Sequence, residues 1–153
     1  KSGIVVKGLH DLAVRFSRCC NPVPGDEIVG FVTRGRGVSI HRTDCINVIN
    51  LPEDERGRLI DAEWQVAENP TSTEQYSTEI QIFANNRIGL FADISKVFTE
   101  KQIDITSMNV RTSKQGRATI IMTFDIHGTE ELNRITDKIR QIDGVLDIQR
   151  TTG

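Results

Sequence analysis

TEIQIFANNRIGLFADISKVFTEK, residues 78–101, changes its hydrophobic period half-way along. From Thr78 to Ala84 the residues alternate, placing Ile80, Ile82 and Ala84 on one face, the period of a half-buried strand. Asn85-Asn86-Arg87-Ile88-Gly89 interrupts the pattern, and Leu90, Ile94, Val97 and Phe98 then recur at helical spacing up to Lys101. Downstream, Ile105 to Thr112 and Gly116 to His127 read as strands joined by a Lys114-Gln115-Gly116 turn. Leu132, Ile135, Ile139 and Ile142 mark a second helix, Gly144 stops it, and Val145 to Arg150 forms a last strand. The order β-α-β-β-α-β with right-handed crossovers gives an antiparallel sheet carrying both helices on one face, a ferredoxin-like arrangement.

Upstream, Ala67 to Gln75 is polar, contains Pro70 and has no apolar period, so residues 67–76 read as a linker between a domain at 1–66 and one at 77–153. The first domain is less regular. Ile4-Val5-Val6 reads as a short strand and Leu12 to Phe16 as a short helix leading into the cysteines. Pro22 to Asp26 is dense turn chemistry, and Ile28–Thr33 with Val38–His41 makes a hairpin around Arg34-Gly35-Arg36-Gly37. A helical turn at Asp44–Ile49 and a strand at Leu59–Trp64 complete an α+β domain. A core of that size is marginal unless stapled or packed against a neighbour.

Bulk properties exclude some classes. No apolar run approaches the roughly 20 residues of a membrane helix. Three cysteines, two of them adjacent, make a poor disulfide framework, which points to a reducing cytosol. Lys1-Ser2-Gly3-Ile4 has neither an initiator Met nor a secretory signal pattern, and reads as a cut inside a longer polypeptide. Residues 1–50 carry seven Lys/Arg against four Asp/Glu, residues 51–76 two against seven, and the remainder ten against ten. The basic opening segment is compatible with touching nucleic acid, and the acidic middle argues against the whole chain lying flat on RNA.

Arg18-Cys19-Cys20-Asn21-Pro22-Val23-Pro24-Gly25-Asp26-Glu27-Ile28-Val29-Gly30-Phe31, continued by Gly35-Arg36-Gly37 and His41-Arg42-Thr43-Asp44-Cys45, resembles one family. It is similar to the penultimate domain of long RelA/SpoT-type (Rel) stringent-response proteins, called the zinc-finger, conserved-cysteine or ribosome-intersubunit (RIS) domain. Asn86-Arg87-Ile88-Gly89-Leu90-Phe91-Ala92-Asp93-Ile94 resembles the first loop of ACT domains, commonly Asp-Arg-x-Gly-Leu-Leu-x-x-Ile. Asn86 stands where many ACT domains have Asp, keeping an acceptor and losing the charge.

The resemblance implies a small mixed α/β RIS-type domain followed by a ferredoxin-like βαββαβ ACT domain, in a bacterial cytoplasmic protein. The parent it implies is a GTP pyrophosphokinase, a (p)ppGpp synthetase that often also hydrolyses its product, with catalytic domains N-terminal to this segment. Nothing in the segment resembles those domains: it has no paired His/Asp metal motif and no phosphate-cradling Gly-rich loop. It is expected to be regulatory. The first domain is expected to meet the ribosome and ribosomal RNA, with transfer RNA a further partner, through Arg34, Arg36 and Arg42. The ACT domain is expected to bind an amino acid at Asn86, Arg87, Ile88, Gly89 and Leu90, with Ile105 and Thr106 lining the facing side, and to act on the catalytic domains or form a homodimer. The alternative is a metabolite-sensing dimerisation module with no RNA contact.

The cysteines admit three readings. Cys20, His41 and Cys45 offer soft metal ligands, with zinc the obvious ion. Adjacent Cys19 and Cys20 would point to opposite faces if extended, so one of them cannot reach a shared metal. The thiols then read as small core residues, no cofactor is required, and the metal-free reading is preferred. Cys-His catalysis would need an orienting third group and an oxyanion hole, and no nucleophile signature surrounds either cysteine.

Overall fold

The computed structural model describes residues 4–6, 13–35, 37–65 and 74–152. The chain forms two compact units that divide between Glu74 and Gln75, with Thr152 and Gly153 assigned to the first. Most of the expected linker, along with Leu12 and Arg36, lies outside the described residues.

In the first unit, β1 (Ile4–Val6), β2 (Val14–Phe16), β3 (Ile28–Thr33), β4 (Gly37–Arg42) and β5 (Leu59–Trp64) form one sheet in the order β1-β5-β3-β4-β2. The β3/β4 hairpin runs in register from Ile28 opposite Arg42 to Thr33 opposite Gly37. Between β4 and β5 stand a single helical turn, α1 (Ile46–Ile49), and a 3₁₀ segment, Glu53–Arg58. Arg58 binds that segment to the sheet: its guanidinium lies 4.6 Å over the Phe31 ring, and its Nε donates to the Val32 carbonyl at 2.9 Å.

Alternation divides the sheet into two faces. Val6, Val38, Ile40 and Ala62 are buried on one, with Ile4, Val14, Phe16, Ile28 and Ile60 packed against them. Phe16 on the edge strand β2 stacks on Trp64 of β5 at 5.6 Å, so the sheet curls over this core. The opposite face carries a second cluster of Cys20, Cys45 and Val48, with Cys19, Val29 and Leu59.

The helix expected at Leu12–Phe16 is corrected. Val14–Phe16 is a strand parallel to β4, pairing Val14 with Val38 and Phe16 with Ile40. Gly37 makes this pairing feasible. The Ala13 carbonyl accepts from Val38 N–H at 2.9 Å, and a Cβ on Gly37, whose φ is +100°, would sit on that carbonyl oxygen. Two half-buried apolar residues flanking an exposed arginine have the period of a strand.

In the second unit, β6 (Tyr76–Asn85), α2 (Leu90–Glu100), β7 (Ile105–Thr112), β8 (Arg117–Ile126), α3 (Thr129–Arg140) and β9 (Val145–Arg150) follow the expected order. All pairings are antiparallel, with strand order β7-β8-β6-β9. Ile80, Ile82, Ala84, Ala118, Ile120, Met122, Phe124 and Ile126 are buried with Leu90, Ile94, Phe98, Leu132, Ile135 and Ile139 from the helices. Phe98 meets Phe124 edge-on at 4.9 Å. The fold class is α+β, and this unit is ferredoxin-like.

Burial is uneven across the sheet. From Thr106 to Thr112 every residue of the edge strand β7 is exposed, Met108 and Val110 among them.

Candidate functional site

Four side chains converge on the second face of the first unit. Cys19 and Cys20 sit in a turn at Arg18–Cys20 directly after β2. Asn21 N–H closes that turn onto the Ser17 carbonyl at 2.9 Å, and Asn21 itself is left-handed with φ 49°. His41 lies on β4, and Cys45 caps α1. The donor atoms of Cys19, Cys20, His41 and Cys45 all lie within 4.8 Å of one another.

Four of the six separations are close to those around a tetrahedral ion. Metal–sulfur bonds of about 2.3 Å and metal–nitrogen bonds of about 2.0–2.1 Å require edges of roughly 3.8 Å between sulfurs and 3.6 Å between sulfur and nitrogen. Cys19 Sγ is 3.5 Å from Cys45 Sγ and 4.0 Å from Cys20 Sγ. His41 Nδ1 is 3.4 Å from Cys19 Sγ and 3.9 Å from Cys20 Sγ. Three thiols and an imidazole in this arrangement can hold a metal ion, and the donor set suits zinc.

The surroundings bear on protonation. Burial pushes the Cys20 thiol well above its usual range, only partly offset by the Arg42 backbone N–H, which donates to its sulfur at 3.3 Å, and burial raises the Cys45 thiol as well. Burial lowers His41, keeping the imidazole neutral and its lone pair available. A metal would therefore have to displace thiol protons. On the far side of the ring, His41 Nε2 lies 2.9 Å from Ser17 Oγ and 3.3 Å from Ser39 Oγ.

The geometric objection to a shared site fails. Cys19 and Cys20 are in a turn, where successive side chains need not diverge as they do in a strand. Cys19, left out of the sequence-derived ligand set of Cys20, His41 and Cys45, lies nearer the imidazole than Cys20 does. The available signal was Asn21-Pro22, since Asn tolerates the left-handed conformation that ends such a turn.

The three arginines separate. Arg34 is at the hairpin tip, its side chain 84% exposed and 3.9 Å from Glu55. Arg36 lies outside the described residues. Arg42 does not meet the expectation of an RNA contact. It continues the inward alternation of Val38 and Ile40 on β4 and is 5% exposed. Its guanidinium donates to the Cys20 carbonyl at 3.2 Å and to Asp44 at 2.6 Å. It braces the cysteine turn from inside.

In the second unit, the loop after β6 is tied to its neighbours. Asn86 N–H donates to the Gly116 carbonyl and Asn85 N–H to the Gly144 carbonyl, each at 2.7 Å. Arg87 donates to the Asp143 carbonyl, the Ile88 carbonyl and Asp93. It is a staple across loops, with each of its three guanidinium nitrogens making a hydrogen bond. Ile88 is fully exposed, Gly89 is left-handed at φ +86°, and the Leu90 side chain belongs to the core. Ile105 and Thr106 are not brought to this loop. Ile105 pairs with Phe124, whereas Asn85 pairs with Arg117 at the other end of β8, seven residues or about 23 Å away by strand rise.

Comparison with known families decides what these two units are. Residues 4–65 match the RelA/SpoT RIS domain, and residues 72–150 match the ACT domain. The chain belongs to the RelA/SpoT family. A GTP pyrophosphokinase of Streptomyces coelicolor is 40% identical over 150 residues, covering 98% of this chain and 17% of that protein. One from Escherichia coli K12 is 37% identical, with 98% and 20% covered. The Mycobacterium tuberculosis protein named bifunctional (p)ppGpp synthase/hydrolase RelA is 36% identical, again with 98% and 20% covered. The chain thus spans about a fifth of the length of the relatives it matches.

The RIS domain accordingly carries the Cys/His cluster and the exposed Arg34, and the ACT domain carries the stapled loop. Among the described residues no helix is long and apolar enough to cross a membrane.

Proposed function

We propose that this chain is the non-catalytic regulatory segment of a cytoplasmic, ribosome-associated (p)ppGpp synthetase. In this reading the RIS domain meets ribosomal RNA, and the ACT domain adjusts the catalytic domains of the same polypeptide. The observation that carries it is the pairing of both regulatory domain types with relatives named GTP pyrophosphokinase, which this chain matches over only a fifth of their length. The metal centre serves architecture: zinc on Cys19, Cys20, His41 and Cys45 would fix the turn beside β4 and so the hairpin that ends in Arg34. When bound, zinc supplies cross-linking and no chemistry.

The test is co-sedimentation of the full-length protein with ribosomes, with and without residues 1–65, at two salt concentrations. Loss of pelleting on deletion, and weaker pelleting of the intact protein at higher salt, supports RNA contact through counterion release. Equal pelleting of both forms refutes it.

A second reading concerns the ACT domain, supported by the placement of Ile105 and Thr106. Within one copy they cannot complete a site with the loop at Asn86–Leu90. Antiparallel pairing of two β7 edges about a two-fold axis would bring the second copy's Ile105 and Thr106 to the Thr112 end of β7, the end where that loop lies. The edge suits this: it contains neither Pro nor Lys, and it exposes Met108 and Val110. An amino-acid site would then exist only in a dimer.

A further inference from the structure

The hydrogen bonds behind His41 carry an inference about how the metal centre is tuned, one that rests on the metal reading above. An imidazole ligates through one nitrogen, and the partner of the other nitrogen decides which one carries the proton. Here Nδ1 faces the sulfurs of Cys19 and Cys20, and Nε2 faces two serine hydroxyls. We propose that Ser17 is a positioning residue for the metal centre: by accepting the Nε2–H of His41 it holds the ring in the tautomer and orientation that present Nδ1 to the metal, with Ser39 in a supporting role.

Ser17 is placed for this independently of its side chain. Its N–H donates to the Ile40 carbonyl at 2.9 Å, and its own carbonyl accepts from Asn21 N–H at 2.9 Å. The backbone is pinned from both sides, so removing the hydroxyl leaves the cysteine turn in place. Ser39, next but one to His41 on the same strand face, is buried and lies farther from the ring nitrogen, at 3.3 Å against 2.9 Å. Histidine ligands commonly have a carboxylate or a backbone carbonyl in this position. A hydroxyl accepts the same proton without adding negative charge beside three thiolates.

The experiment uses the whole chain loaded with zinc. Competition against a chromophoric chelator gives the affinity of wild type, Ser17→Ala, Ser17→Thr and Ser39→Ala. Long-range ¹H–¹⁵N spectra of wild type report which imidazole nitrogen is metallated. The expected result is Nδ1 metallated and Nε2 protonated, with zinc affinity reduced roughly 10- to 100-fold in Ser17→Ala. Ser17→Thr should restore most of the affinity, and Ser39→Ala should lose less than Ser17→Ala. Metallation at Nε2 overturns the proposal even if the alanine variant fails to fold. An unchanged affinity in folded Ser17→Ala overturns it as well. Absence of stoichiometric zinc on the wild-type chain refutes the metal reading itself, and this inference with it.

Discussion

Cys19 and Cys45 stand twenty-six positions apart in the chain with their sulfurs 3.5 Å from each other. All three cysteines are free thiols, and neither a disulfide nor a large core explains their convergence. A bound ion would explain it, because structural zinc contributes folding free energy directly. Removing zinc with a chelator is therefore expected to abolish hydrogen-exchange protection in β3 and β4 while β6 and β8 keep theirs. Unchanged protection in β3 and β4 after verified zinc removal would contradict a structural metal.

Acidity and alkalinity should both weaken the metal-free RIS domain, from opposite causes. The His41 pKa is lowered in the fold, so its contribution is present above its ordinary value of 6.5 and is lost as pH falls through the lower, folded value. Cys20 and Cys45 are raised, so their contribution is present below the ordinary value of 9.0 and is lost as pH rises above it. Urea midpoints of the zinc-free chain should peak between these values. Because zinc displaces thiol protons, its apparent affinity should rise with pH up to neutrality. A pH-independent affinity would remove Cys20 and Cys45 from the ligand set.

Two glycines in one hairpin should differ in their tolerance of a side chain. Gly35, with φ +68°, has nothing within 4 Å of an added Cβ, so Gly35→Ala should cost only the left-handed penalty of about 1–2 kcal/mol. Gly37→Ala adds a collision with the Ala13 carbonyl, and about 3 kcal/mol or more is expected. Urea unfolding of both variants checks this, and equal losses would mean that β2 does not pair with β4 as described.

The ACT edge gives a coupled prediction. Val110→Lys places a charge on the exposed β7 edge, where it opposes strand pairing between copies. Dimerisation, read by sedimentation equilibrium, and amino-acid binding, read by calorimetry, should be lost together. Binding retained by a monomer would place the ligand site within one copy. Gly89→Ala tests the loop separately. Space around Gly89 is open, the nearest atom to an added Cβ being Arg87 Nη1 at 3.5 Å, so any loss of binding should come from its φ of +86° and not from steric closure.

The ACT domain was legible in the sequence because its hydrophobic periods are long: ten-residue strands and helices of eleven and twelve residues average out single exceptions. The RIS domain was less so. Three-residue strands such as Val14–Phe16 are too short to establish a period, and their pairing depends on a glycine twenty-one residues downstream of Phe16. The cysteine site was half legible. Cys20, His41 and Cys45 could be named from chemistry, but bringing Cys19 to them depended on the turn that Asn21 ends, a local signal outweighed by the expectation that adjacent side chains diverge. The separation of Ile105 from the Asn86 loop was hidden for a related reason: sequence order places Ile105 next after α2, whereas strand register puts it at the opposite end of the sheet.

Arg34 and Arg42, both basic and both on or beside β4, should respond oppositely to truncation. Arg34 is exposed, and its 3.9 Å contact with Glu55 is of the kind that contributes little, so Arg34→Ala should leave stability within about 0.5 kcal/mol of wild type. In the full-length protein it should weaken ribosome pelleting and lower the salt dependence by roughly one counterion. Arg42→Ala leaves the buried Cys20 carbonyl without its guanidinium donor and Asp44 without its 2.6 Å partner. A loss of about 1–3 kcal/mol is expected, together with weaker zinc binding, because the carbonyl belongs to a ligand residue. The pair of variants separates surface from scaffold. If Arg42→Ala lowers pelleting while stability and zinc affinity hold, Arg42 meets RNA after all and the buried placement is wrong; if Arg34→Ala changes neither pelleting nor its salt slope, the tip is only a solvated turn.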